Sequence, residues 1–165
     1  MPQKLLFTEK QKFNQWWIWV ILISANLINA IIVYQALQSN ETNKVMIIVY
    51  FIALIVVLIL FCLISLTTKI TEKEIAIRFF PFHFKERKYL FSEIEKAEVI
   101  QYNPIMDYGG WGIRYGIKGK AFNIRGNRGL KLTFKTKRTL LIGTQNPEEL
   151  KKIIHNIITR NEKTV

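Results

Sequence analysis

The chain has 165 residues, half of them hydrophobic, with a formal net charge of +12. That length holds one ordinary domain plus a few membrane helices. The single cysteine, Cys62, excludes an internal disulfide and a cysteine-built zinc site, and Asp107 is the only aspartate, so a paired-carboxylate site would need glutamates gathered by folding.

Residues 1–15 are short and basic, with Lys4, Lys10 and Lys12 against Glu9, and read as an N-terminal segment ahead of the first apolar block. Residues 16–37, WWIWVILISANLINAIIVYQAL, are too long for a typical signal core and read as a first membrane span. Trp16, Trp17 and Trp19 open it, where indole rings favour the headgroup interface. Asn26 and Asn29 share one helical face, and amides in lipid want partners, so that face is expected to pack on the second helix or on another copy. Residues 45–66, VMIIVYFIALIVVLILFCLISL, carry no charge and no proline. As a helix they would reach about 33 Å, enough to cross a hydrocarbon core of about 30 Å.

The connection Gln38 to Lys44 is polar and neutral overall, the N-terminal segment is net positive and the part after the second span is strongly basic. The positive-inside rule then predicts a multi-pass protein of the cytoplasmic (inner) membrane with both termini cytoplasmic and the seven-residue loop outside.

From Lys69 the pattern alternates. Residues 69–165 hold 20 Lys+Arg against 10 Asp+Glu, which is +10 of the excess. Ile75, Ile77 and Phe79 alternate with Glu74, Ala76 and Arg78, Arg87–Phe91 and Ala97–Tyr102 read as further strands, and Asn103–Gly110 reads as a turn-rich loop. A two-residue turn at Lys118–Gly119 would set Tyr115 against Phe122, Ile113 against Ile124, and Arg114 against Asn123 on the other face. A loop at Asn127–Gly129 would continue the meander, with Phe134 facing Phe122 and Leu132 facing Ile124, before a last strand at Thr139–Ile142. Asn146, Pro147 and Glu149 signal a helix start, and Leu150, Ile153, Ile154, Ile157 and Ile158 form one apolar stripe. The helix is placed at about residues 147–160.

The segments KITEKEIAIRFFPF, FSEIEKAEV, YGGWGIRY, AFNIRGNRGLKL and LIGTQNPEELKKII, behind two spans, resemble the small bacterial membrane proteins with a pleckstrin-homology-like C-terminal domain. The resemblance implies an α+β protein: a transmembrane hairpin, then a PH-like domain over residues 69–165. That domain would be a partly open barrel of about seven strands, capped by the last helix. It supplies no established activity and no catalytic residue.

Between Tyr108 and Pro147 there are nine Lys+Arg and no Asp or Glu. Arg114, Arg125, Arg128, Lys118 and Lys120 are therefore the candidate anion site, aided by loop amides around Gly126–Gly129. The other reading is a solvated basic face drawn to acidic lipid. Tyr108 and Trp111 flank Gly109–Gly110 as an aromatic docking patch, or Trp111 points inward with Ile113 and Tyr115. His83 and His155 stand at no recognisable catalytic spacing, and the Gly-rich stretch lacks the dinucleotide pattern. The expectation is a non-enzymatic binding module without metal or cofactor, docking a partner protein or anionic lipid headgroups rather than nucleic acid. The alternative is an accessory or scaffolding subunit of a membrane complex, assembled or oligomerised through the Asn26/Asn29 face.

Overall fold

The computed structural model describes residues 4–38 and 44–162, so residues 39–43 of the expected connecting loop lie outside the described residues. The chain divides into two compact units: Met1–Lys12 together with Ser65–Val165, and Phe13–Ile64.

The second unit is a pair of helices, α1 (Trp16–Gln38) and α2 (Lys44–Leu63), which pack on each other. Both are long and apolar enough to cross a membrane, with mean hydropathy of 2.0 and 3.4 over their most apolar stretches. Phe13 and Phe61 bring their rings to 5.5 Å, and the Trp19 indole N–H donates to the Phe13 carbonyl. Asn26 and Asn29 each donate an amide N–H to a carbonyl one turn back, on Leu22 and Ala25. Each therefore satisfies one donor inside its own helix, without a partner helix.

The first unit holds nine strands in two sheets. An antiparallel sheet runs in the order β1 (Leu5–Lys12), β2 (Ser65–Thr71), β3 (Glu74–Phe80), β4 (Arg87–Leu90). The second sheet contains β5 (Ile94–Gln101), β6 (Gly112–Gly116), β7 (Gly119–Asn123), β8 (Arg128–Phe134) and β9 (Thr139–Gly143), in the order β5-β8-β9-β7-β6. The seven strands read from the sequence are present, and the two additional ones flank the helix pair. Residues 1–15 are thus not a separate leading segment, because Leu5–Lys12 is the edge strand of the first sheet. The second apolar helix stops at Leu63 rather than at residue 66, and Ser65 and Leu66 belong to β2. Leu66 is fully buried opposite Gln11 and Phe79, and a buried strand joined to an apolar helix is as continuously apolar as the helix itself.

The core between the sheets is built from Leu66, Ile70, Ile75 and Ile77 on one side and Phe122, Ile124, Leu130 and Ile142 on the other, all essentially inaccessible. Phe79 of β3 meets Phe122 of β7 at 6.3 Å between ring centroids. Helix α4 (Pro147–Glu162) lays Leu150, Ile154 and Ile157 of its stripe over β1, β5 and β8. Strand β1 is also tied to the second sheet by polar groups. The buried Glu9 carboxylate accepts from the Thr144 hydroxyl (2.6 Å) and the Gln145 N–H (2.7 Å), and the Gln11 side-chain amide donates to the Gly143 carbonyl (2.6 Å).

Three local readings are corrected. The β6–β7 turn is Ile117–Lys118, which pairs Tyr115 with Lys120, Ile113 with Phe122 and Arg114 with Ala121. Gly119 is drawn into the strand because its left-handed backbone (φ 100°) lets it lie against Thr139 of β9. The meander does not continue from β7 to β8, because β9 inserts between them, parallel to β7 and antiparallel to β8. Lastly, Asn103–Gly110 contains a short helix, α3 (Pro104–Tyr108). The Asn103 side chain accepts from the N–H groups of Ile105 and Met106, and Gly109 closes the helix in the left-handed conformation. Helix α3 covers the outer face of the second sheet, where Tyr102, Tyr108, Ala121 and Leu141 form a smaller buried cluster. There Asn123 accepts from the Gly112 N–H and donates to the Tyr102 hydroxyl.

Candidate anion-binding groove

Strand β4 supplies the first wall. Arg87 and Tyr89 are two residues apart, so the period of a strand turns them to one face. Tyr89 packs on Phe134 of β8, ring centroids 5.5 Å apart. The β6–β7 hairpin supplies the second wall. Its Lys120 ammonium lies 4.7 Å from the centre of the Tyr115 ring and 4.8 Å from that of Phe122, held by the negative faces of the two rings. The third wall is the β8–β9 turn, which brings Lys135 and Arg138. Together they border a groove of about 1020 Å³ within the two-sheet unit.

On its walls Arg87, Lys120, Lys135, Lys137 and Arg138 outnumber the one carboxylate, that of Glu93. The Tyr115 hydroxyl is held below its ordinary value, first by its hydrogen bond to Lys120 and then by that residue's charge. His83, whose ring meets Phe122 edge-on at 5.5 Å, is pushed below 6.5 by burial and then by the charges of Arg87 and Lys120. Tyr89 is raised by burial, against the pull of Arg87. An open groove with cations on its walls and tyrosine and phenylalanine rings between them suits a ligand with an anionic end and a flat or apolar remainder.

The five basic residues expected to form one site are dispersed. Only Lys120 borders the groove. Lys118 is ion-paired with Asp107 at 2.9 Å, which holds the Asp107 carboxyl below its ordinary range. The Arg114 Nε donates to the Trp111 carbonyl at 2.9 Å, and Arg128 is exposed at the start of β8. Arg125 lies beyond the end of β7, so it does not pair across the hairpin with Gly112 and shares no outward face with Arg114. The basic stretch is also partly neutralised by β5, because Glu95 pairs with Lys137 at 2.8 Å. Tyr108 is buried and so offers no docking surface, whereas Tyr115 is 76% exposed rather than inward. Trp111 is half-buried and its indole N–H donates to the Gly126 carbonyl. Arg87 and Tyr89 were missed as site residues. Their i, i+2 spacing on a short strand was the available signal, but no local motif joined them to Lys120, about thirty residues away.

Among the described residues no group of three or more His, Cys, Asp or Glu side chains is placed to hold a metal. Comparison of the chain with protein-family models, with curated proteins and with solved structures finds no match.

Proposed function

We propose that this is an integral membrane protein whose two-sheet unit is a non-enzymatic binding module for an anionic lipid headgroup. The observation that carries the reading is Lys120, held between the Tyr115 and Phe122 rings on the wall of a groove that Arg87 also lines. A cytoplasmic placement is supported by the net charge of the segments that flank the apolar helices. The resemblance to pleckstrin-homology-like membrane proteins draws support from the four-strand antiparallel meander and the C-terminal helix. The parallel β7–β9 pair lies outside the meander that this resemblance implies.

The test uses the full chain in nanodiscs of zwitterionic lipid. A short-chain anionic phospholipid is titrated in and compared with its neutral counterpart across a salt series. Saturable binding of the anionic lipid is expected to persist at physiological salt and to weaken about tenfold or more in Arg87→Glu with Lys120→Glu, the scale of one lost charge-assisted contact pair. Equal binding of neutral and anionic lipid, or an unaffected double variant, would sink the proposal. Binding that disappears with modest salt would mean only a diffuse basic surface.

A further inference from the structure

The antiparallel register of the first sheet brings three strand ends into one row. Lys12, the last residue of β1, is the partner of Ser65, the first residue of β2, and Ser65 is in turn the partner of Phe80, the last residue of β3. The chain leaves this row at Lys12 for the apolar helices and returns to it at Ser65. The connection that follows Phe80 starts from the same row. It reads Pro81-Phe82-His83-Phe84-Lys85-Glu86, and it carries two of the largest exposed apolar side chains of the two-sheet unit, with Phe82 57% and Phe84 76% accessible.

These rings are not loose. Phe82 rests on Phe79 at 6.1 Å, and Phe84 meets Phe80 edge-on at 5.8 Å. Phe79 in turn contacts Phe122 in the core. The His83 N–H donates to the Phe79 carbonyl at 2.7 Å and closes the turn. The connection is thus a short, braced aromatic projection. Lys85 and Arg87 are exposed beside it, the Glu86 carboxylate between them is paired with Lys69, and cations flanking apolar rings suit a boundary between hydrocarbon and phosphate headgroups. The opposite end of the sheet is different in kind. The β2–β3 turn there is Glu72-Lys73, with Glu72 paired to Arg160 and Glu74 to Lys88.

We infer that Phe82 and Phe84 insert into the headgroup boundary of the bilayer that α1 and α2 cross, making this loop a third point of membrane contact. The inference rests on reading the two helices as spans, and it is independent of any ligand in the groove. Its occupant is the lipid surface because the loop shares its row with the two points where the chain passes into lipid-length apolar helices.

The experiment places an environment-sensitive fluorophore at a single cysteine in the full chain, in a Cys62→Ala background reconstituted into liposomes. Four positions are compared: Phe82→Cys, Phe84→Cys, Val56→Cys within α2, and Lys73→Cys, exposed in the β2–β3 turn at the opposite end of the sheet. At 82 and 84 the probe is expected to shift to the blue, lose quenching by iodide and gain quenching by shallow nitroxide lipids. At 73 the probe should stay water-like, and at 56 it should respond to deep nitroxides. Water-like probes at 82 and 84 with a deep probe at 56 would overturn the loop contact while leaving the spans intact. A water-like probe at 56 would overturn the spans and the inference with them. Protection at 82 and 84 without nitroxide quenching would point to burial against another copy of the chain and equally overturn it.

Discussion

Lys12 and Ser65 are direct partners across the β1–β2 pair, although the whole of Phe13–Ile64 lies between them. The helical pair therefore occupies the position of a hairpin turn. The two-sheet unit is discontinuous in sequence, and β1 is part of it rather than a leader to it. A fragment beginning at Ser65 should fail to unfold cooperatively, since it lacks Phe7, Glu9 and Gln11 from the buried face of β1. A chain in which Phe13–Ile64 is replaced by Asn-Gly, a two-residue hairpin turn, should fold as a soluble domain. Circular dichroism and denaturant melts of the two proteins would settle the point: equal cooperativity in both would show that β1 is dispensable.

Glu9 is the polar link between the sheets. In Glu9→Ala the Thr144 hydroxyl and the Gln145 N–H lose their acceptor in a buried setting, with an expected loss of about 2–3 kcal/mol, while Glu9→Gln should lose less because it keeps an acceptor oxygen. Urea melts of the Asn-Gly-joined domain would measure both. A loss for Glu9→Ala within the surface-substitution range of about ±0.5 kcal/mol would contradict the assignment.

Gly119 makes a sharper case. Its backbone is left-handed, and a Cβ there would press on the Thr139 side chain and come within 2.7 Å of the Thr139 carbonyl. Gly119→Ala should cost about 2 kcal/mol or more through strain and crowding together. Because Gly119 and Lys120 are neighbours, the same change should weaken any binding in the groove, whereas Gly109→Ala, with open space around it, should cost less.

The pH dependence follows from His83. Its folded value lies below 6.5, so in the range between the folded value and 6.5 the unfolded chain binds the extra proton. Stability is then full above 6.5, declines as the pH falls through 6.5, and levels off below the folded value. Denaturant melts of the joined domain between about pH 5 and pH 8 should show this slope, and His83→Asn should reduce it. An unchanged slope in the variant would assign the effect to other groups.

What could be read in the sequence was local. The α4 stripe follows from side chains three or four apart, seven strands from side chains two apart, and the Trp-led first helix from the length of its apolar run. Strand β1 escaped because its buried row is Phe7, Glu9, Gln11, two of the three polar, so hydrophobic alternation is absent. Strand β2 escaped because its start continues the apolar run of α2. The β9 insertion could not be seen in turn chemistry, which specifies neighbours in sequence and says nothing of a third strand that later separates them. The candidate site follows the same rule. Lys120 was found within the basic stretch, but its place beside Arg87 depends on two sheets meeting, and Lys118 was taken by Asp107 of α3.

The pairing of Lys12 with Ser65 also bears on how the protein is made. If the helices are spans, a nascent chain in which only one of them crosses the bilayer leaves β1 and β2 on opposite sides, and the first sheet cannot close. Glu9 must further wait for Thr144 and Gln145 to leave the ribosome. Completion of the two-sheet unit then requires β1 and β2 on the same side of the bilayer, and a chain threaded only once leaves each of these strands without its partner.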